Sequence, residues 1–421
     1  MSKVENAYPG LGETARLVLS CAAATRLERN HPLALILIGG ASSGKTSLLM
    51  PLTTGAKNSN LGRESIRIDD FTPASLVSHS ANRSTEQLEK IDLLPKMRGK
   101  CAIVKEMAPM FTGHEDDLMR KFSILASILD GEGYVSSSGS HGERGYREKI
   151  TFSLLGAVTP DVLTPKVFKS LNAVGPRFCF WDMPERYIDP AVWRGPGKER
   201  KKIEASVTQA IAGFVDQLFG KYTHGSISRD HFTLSDEARS TLSHIAYLMA
   251  ALRSRTSSQK DEDGTVLESM GTTESPERAF RYLEQVVLGS ALIDERSEVT
   301  SDDLVLALGI AMSSALPGRK RIIRTFFQSN QEQNANNLAV YTRSDGETVT
   351  KYVGQLINLQ IVEKVNSDGT TRWDLREPFK SLRKSLSKED VFHDVEKAAE
   401  TPSYSHLDSP LLSSPEFSWG V

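Results

Sequence analysis

Residues 33–50 read LALILIGGASSGKTSLLM. Leu33–Ile38 is an unbroken apolar run, as a strand buried on both faces of a parallel sheet requires. It stops at Gly39-Gly40-Ala41-Ser42-Ser43-Gly44-Lys45-Thr46, which fits G-x-x-x-x-G-K-[ST] at every fixed position. Glycines in that place let successive backbone N–H groups turn inward around an anion. Ser47-Leu48-Leu49-Met50 then favours a helix whose start faces the same anion. Strand, glycine loop and helix start together predict a phosphate-binding turn, with Gly39 through Ser47 as its lining.

Further strands are predicted on either side of this turn. They cover residues 65–68 ahead of Asp69-Asp70, Cys101–Val104 ahead of Lys105-Glu106, the buried stretch SLLGAV ending at Val158, and residues 177–181. A helix over residues 11–29 precedes the first strand, and an amphipathic helix over 115–130 separates two others. YVSSSGS and the His141-to-Gly145 turn read as a hairpin whose return strand runs into SLLGAV. This alternation predicts an α/β fold with a parallel sheet. From about 199 to 316 the pattern is helical, over 201–222, 235–254 and 276–294, with a shorter helix after Thr300. Residues 255–275 are polar and read as an exposed loop. Residues 319–379 offer three helices, then IVEKV, a Ser367-Asp368-Gly369 turn and TRWDL, the outline of a winged helix. From about 384 the chain is acidic, then rich in Ser and Pro, and is expected to be disordered.

The 421 residues are 39% hydrophobic and 25% charged, with 51 Lys and Arg against 53 Asp and Glu. Such a composition excludes collagenous, coiled-coil-only and globally disordered chains, and a uniformly basic nucleic-acid coat. A local basic patch stays open. Cys21, Cys101 and Cys179 are odd in number and contain no CxxC pair, so no disulfide framework or zinc cluster is expected. No run is long enough to span a bilayer and no signal-peptide pattern begins the chain. A soluble cytoplasmic protein with no membrane partner is the expectation.

The loop predicts the chemistry. Lys45 would reach the β and γ phosphates of ATP, and Thr46 would ligate Mg²⁺. A carboxylate at a neighbouring strand end is also needed, and Glu106 is the candidate for both Mg²⁺ and water. Lys105 stands where a metal-facing Asp would be expected, so Glu106 does one job or both, or Asp69 or Asp70 helps.

The order of parts resembles the AAA+ ATPases, closest to the branch with a hairpin before sensor 1 that includes minichromosome maintenance helicases and magnesium chelatases. AIVKE resembles the Walker B strand, LLGAVTP the sensor 1 region with Thr159 at the polar position, and Gly175-Pro176-Arg177-Phe178 the serine-arginine-phenylalanine motif. The resemblance implies a P-loop NTPase core over 1–190, a helical lid over 191–316, a winged helix over 317–383 and a tail over 384–421. Arg177 would be an arginine finger reaching a neighbouring subunit, and Arg278 the sensor 2 residue, with Arg281 its rival. A homo-oligomer, with a hexamer as the expected ring, follows from the same likeness. Asp130-Gly131, Thr159-Pro160 and Leu316-Pro317-Gly318-Arg319 also fit a less-studied group of bacterial and phage ATP-binding proteins.

DNA is the expected partner. Its contacts would come from the hairpin through His141, Arg144, Arg147 and Lys149, and from the winged helix through Arg343, Thr348, Lys351 and Tyr352. Lys320, Arg321 and Arg324 lie just upstream, and Thr370, Thr371 and Arg372 on the wing. The tail residues Phe417 and Trp419 offer a docking peptide for a protein partner. The expected function is a DNA motor or remodeller. The alternatives are a nucleotide-gated DNA-binding regulator and a protein-remodelling ATPase.

Overall fold

The computed structural model describes residues 1–28, 31–69, 72–78, 83–138, 142–173, 177–184, 197–254, 256–260, 266–270, 274–367 and 370–386. The first strands are β1 (Leu33–Ile38), β2 (Ser65–Arg67) and β3 (Cys101–Val104). A hairpin of β4 (Tyr134–Ser138) and β5 (Gly142–Tyr146) follows, then β6 (Ser153–Val158) and β7 (Phe178–Asp182). Five of these form one sheet in the order β2-β3-β6-β1-β7, with every neighbouring pair parallel. The chain is thus a mixed α/β protein on a five-stranded parallel sheet. All five carboxyl ends share one edge, so the segments leaving β1, β3, β6 and β7 meet there.

Every residue of β1 and β6 is buried, and alternation sends side chains into two cores. Leu33, Leu35 and Leu37 join Leu155, Ala157, Cys179 and Trp181 on one face. Ala34, Ile36 and Ile38 join Leu154, Val158, Phe178 and Phe180 on the other. The first face is covered by helices Gly12–Ala23, Asp236–Arg253, Pro276–Ile293 and Ser301–Ser313, the second by Glu115–Leu129. The three cysteine thiols are free and buried, and burial pushes those of Cys101 and Cys179 up to about 12. They are packing groups rather than nucleophiles.

Helices Pro317–Gln328, Ala335–Thr342 and Gly346–Asn358 precede the antiparallel pair β10 (Val362–Ser367) and β11 (Thr370–Leu375). The first of these helices is anchored by Arg319, which is 1% exposed. Its guanidinium donates to Leu252 O at 3.3 Å and Ser254 O at 2.5 Å, carbonyls at the end of helix Asp236–Arg253, and to Gln355 Oε1 at 2.8 Å. A helix end leaves such carbonyls without intrahelical partners, and a buried arginine satisfies them. Gly318 lies under the Tyr352 ring, where a Cβ would stand 1.9 Å from Cζ. The Leu316-to-Arg319 stretch is therefore a packing joint.

Four expectations need correction. Residues 256–260 and 266–270 form β8 (Thr256–Lys260) and β9 (Val266–Met270), an antiparallel hairpin and not a featureless loop. The return strand β5 ends at Tyr146 and does not run into β6; six residues intervene. The helix after the glycine loop is only Lys45–Leu49, and the chain tightens to a 3-10 turn at Met50–Thr53, where Pro51 removes a backbone donor. Residues 384–386 belong to helix Phe379–Leu386, which buries Phe379, Leu382 and Leu386, so the ordered part outlasts the expected tail boundary. Residues 387–421, with Phe417 and Trp419, lie outside the described residues.

Candidate active site at the carboxyl edge of the sheet

The loop 39–44 leaves β1 at the carboxyl edge. Ser42 and Gly44 take positive φ, and Gly44 is the residue before helix Lys45–Leu49. A Cβ at Gly39 would stand 2.6 Å from Ser43 Oγ and 2.9 Å from the Met183 side chain, so the tight turn against the segment after β7 requires glycine. Lys45 is 7% exposed. Its ammonium donates to Gly39 O at 2.5 Å and Gly40 O at 2.7 Å, inside the ring of backbone it belongs to. Burial pushes it below its ordinary value, and the Glu106 carboxylate pulls partly the other way. Thr46 lies exposed beside it.

Glu106 follows β3 at the same edge and is exposed. Its Oε1 accepts the Ala108 N–H at 3.1 Å, which leaves the second oxygen for another partner. Thr159 follows β6, the strand between β1 and β3, and begins the turn at Pro160–Val162. Lys45, Thr46, Glu106 and Thr159 thus share one sheet edge. Asp69 sits at the end of the outermost strand and pairs with Arg67 at 2.8 Å; Asp70 lies outside the described residues. Lys105 is exposed.

Arg177 and Arg278 are at the opposite edge. Phe178 pairs with Ala34 at the start of β1, so Arg177 sits where the sheet begins. The six residues of β1 put about 20 Å between the two edges at about 3.3 Å per residue. Arg177 donates to both oxygens of Asp130, at 3.2 and 2.9 Å, and Arg278 stands 3.7 Å from the same carboxylate. Residues 174–176, including Gly175 and Pro176 of the quoted motif, lie outside the described residues. Asp130 stands out in the sequence only within the Asp130-Gly131 pattern; nothing in the linear order signals that it joins the two arginines.

The candidate nucleic-acid contacts divide. Arg144 is committed inward: it donates to Ser78 O and, at 2.7 Å, to Asp92 Oδ2, which also accepts from Tyr146 at 2.6 Å. Arg147 pairs with Glu143 on the hairpin surface, and Lys149 is exposed. His141 lies outside the described residues. Arg343 ends helix Ala335–Thr342 in a left-handed conformation, and Thr348 is tied to Asp345 as a helix-start contact. Lys351 is exposed, with its ammonium 5.9 Å from the Tyr352 ring centre. Lys320 and Arg324 both grip Asp182 at the end of β7, at 2.9 and 2.6 Å. Asp182 is not among the residues the sequence singles out, although an acid closing an apolar strand is a readable signal.

Among the described residues no three His, Cys, Asp or Glu groups gather to hold a metal ion, and no helix is long and apolar enough to cross a membrane. A scan against protein-family models finds no match, and neither does a search of the curated proteins.

Proposed function

We propose that the chain is an ATP-hydrolysing motor or remodeller of AAA+ type that acts on DNA as a homo-oligomer. The observation that carries this reading is the convergence of the 39–46 loop, Glu106 and Thr159 on one edge of a parallel sheet. The ammonium of Lys45 is already inside the loop, held by the Gly39 and Gly40 carbonyls and the Ser43 hydroxyl, oxygens that those of a phosphate can replace. Because the helix after the loop is short, loop N–H groups and Lys45 do most of the holding.

Thr46 and Glu106 offer one hydroxyl and one carboxylate, which suits Mg²⁺, an ion that keeps several waters and takes few protein oxygens. When bound, Mg²⁺ neutralises charge on the phosphates. Glu106 orients the attacking water and accepts its proton, and Thr159 holds that water from the adjacent strand end. Arg177 and Arg278 are too far from the loop of their own copy to act there. In the reading we favour they serve the site of a neighbour, where a guanidinium offsets charge on the transferred phosphoryl group.

The helices at 317–358 followed by the β10–β11 hairpin support a winged helix that meets DNA through Arg343 and Lys351. A second reading, a nucleotide-gated DNA-binding regulator, draws on Lys105 beside Glu106 and on the ion pairs from Lys320 and Arg324 to Asp182. Those pairs tie the C-terminal helices to the strand beside the loop. The test of a shared site mixes Lys45→Ala with Arg177→Ala subunits, each weak alone. We expect turnover to recover in the mixture, because some interfaces then pair an intact loop with an intact arginine. No recovery with assembly intact would contradict the shared site.

A further inference from the structure

Asp130 has the wrong charge for its own helix. It closes helix Glu115–Leu129 as the C-cap, where unpaired carbonyls already carry partial negative charge. Gly131 follows in a left-handed turn (φ +80°), and its N–H donates to Ile128 O at 3.0 Å, so the backbone at Asp130 is fixed. Arg278 is misplaced in the same sense. It lies in the first turn of helix Pro276–Ile293, where N–H groups carry partial positive charge. Each placement is unfavourable alone and favourable when the two face each other.

Three elements meet at this carboxylate. Arg177, just ahead of β7, donates from Nε and Nη2 to the two oxygens of Asp130, at 3.2 and 2.9 Å. Arg278 Nη2 stands 3.7 Å from Oδ1 of the same group. The Arg177 side chain is 14% exposed and therefore held, while those of Arg278 and Asp130, at 36% and 30%, reach the surface. Behind them Arg253 donates to Glu274 Oε1 at 2.9 Å in the interior. Burial pushes the Glu274 carboxyl up, and Arg253, Arg278 and Arg177 pull it the other way. Arg281, one turn beyond Arg278, leans on Glu277 instead.

Two guanidiniums brought this close repel, and a carboxylate between them removes the repulsion. One carboxylate against two cations still leaves the trio positive. A two-point contact also sets the plane of the Arg177 guanidinium, which a single contact does not. We infer that Asp130 is a positioning residue for turnover, holding Arg177 and Arg278 together in the orientation in which a neighbouring copy's nucleotide receives them. The inference rests on the shared-site reading above and adds to it the residue that sets the arginines. Asp130 itself touches no nucleotide. Without its charge the arginines separate, and a misplacement of about 1 Å can cost on the order of a hundredfold in rate.

The test uses the full chain. Asp130→Asn keeps the shape and loses the charge. Its kcat for ATP should fall by about tenfold or more, with KM within about twofold of the wild type, because the nucleotide loop at the other edge is untouched. Asp130→Ser should behave alike, and Asp130→Glu, which keeps the charge, should recover most of the loss. Adding Asp130→Asn to Arg177→Ala should slow turnover little further, as for residues that act as one unit. Mixed subunits separate positioning from general damage. Asp130→Asn with Lys45→Ala should recover turnover, since one supplies a sound loop and the other sound arginines. Asp130→Asn with Arg177→Ala should not recover. A merely unstable subunit would rescue neither. Unchanged kcat in Asp130→Asn would overturn the inference. So would its failure to rescue Lys45→Ala where Arg177→Ala succeeds, and the shared site would then stand without it. If neither variant rescues Lys45→Ala, the shared site fails and the inference with it.

Discussion

Glu106 carries more of the proposed chemistry than its neighbours. Asp69 is turned to Arg67 on the outermost strand, and Lys105 has the wrong charge. Glu106→Gln should therefore keep nucleotide affinity and lower kcat by about a hundredfold or more, the scale of a lost general base. Unchanged kcat would transfer the role elsewhere. Asp92 makes a second, pH-dependent point. Burial alone would raise its carboxyl, but hydrogen bonds from Tyr146, Ser78 and Arg144 outweigh burial and hold it below its ordinary value. A carboxyl lowered in the folded state contributes stability above its unfolded pKa, near 3.9, and loses it as pH falls through the folded value. The Tm gap between the wild type and Asp92→Asn should be widest at neutral pH and close below about pH 4. A gap independent of pH would mean that the Asp92 charge does not anchor the hairpin.

Strands were more legible than ribbons and joints. Leu33–Ile38 and Ser153–Val158 announce themselves as apolar runs because both faces are buried, and a parallel sheet follows from their alternation with helices. The β8–β9 hairpin was hidden by polar composition, since a two-stranded ribbon needs no apolar run. The loop with Lys45, and Glu106 after its strand, could be read in place because each is fixed by local sequence. The Asp130–Arg177–Arg278 cluster and the Asp182–Lys320–Arg324 cluster could not, because their members are brought together only by the fold. Arg319 is the clearest joint. Arg319→Met keeps apolar bulk but strands the Ser254 carbonyl and the Gln355 oxygen, while the Leu252 carbonyl keeps the Leu316 N–H. It should cost on the order of 3 kcal/mol in denaturant unfolding, as for other buried polar networks that lose one member. A loss within error of zero would mean that the C-terminal helices are held mainly by apolar contact, such as the Tyr247–Phe379 stack.

The sheet separates two sets of polar groups: the loop, Thr46, Glu106 and Thr159 at the carboxyl edge, and Arg177 and Arg278 at the amino edge. A single copy cannot bring both to one nucleotide, so the proposed chemistry requires assembly. If DNA is the substrate, turnover should rise with added DNA, and the rise should fade as salt increases because phosphate contacts exchange with ions. Stimulation indifferent to salt would argue against backbone contact. Among the described residues of the hairpin and its base, Arg147 and Lys149 are exposed enough to contribute, and Arg144, committed to Asp92, should matter for hairpin stability more than for DNA. The most direct measurement is steady-state ATP hydrolysis with Mg²⁺, comparing the wild type with folded Lys45→Ala. The account predicts turnover by the wild type that Lys45→Ala abolishes. Equal turnover by the two proteins would contradict it.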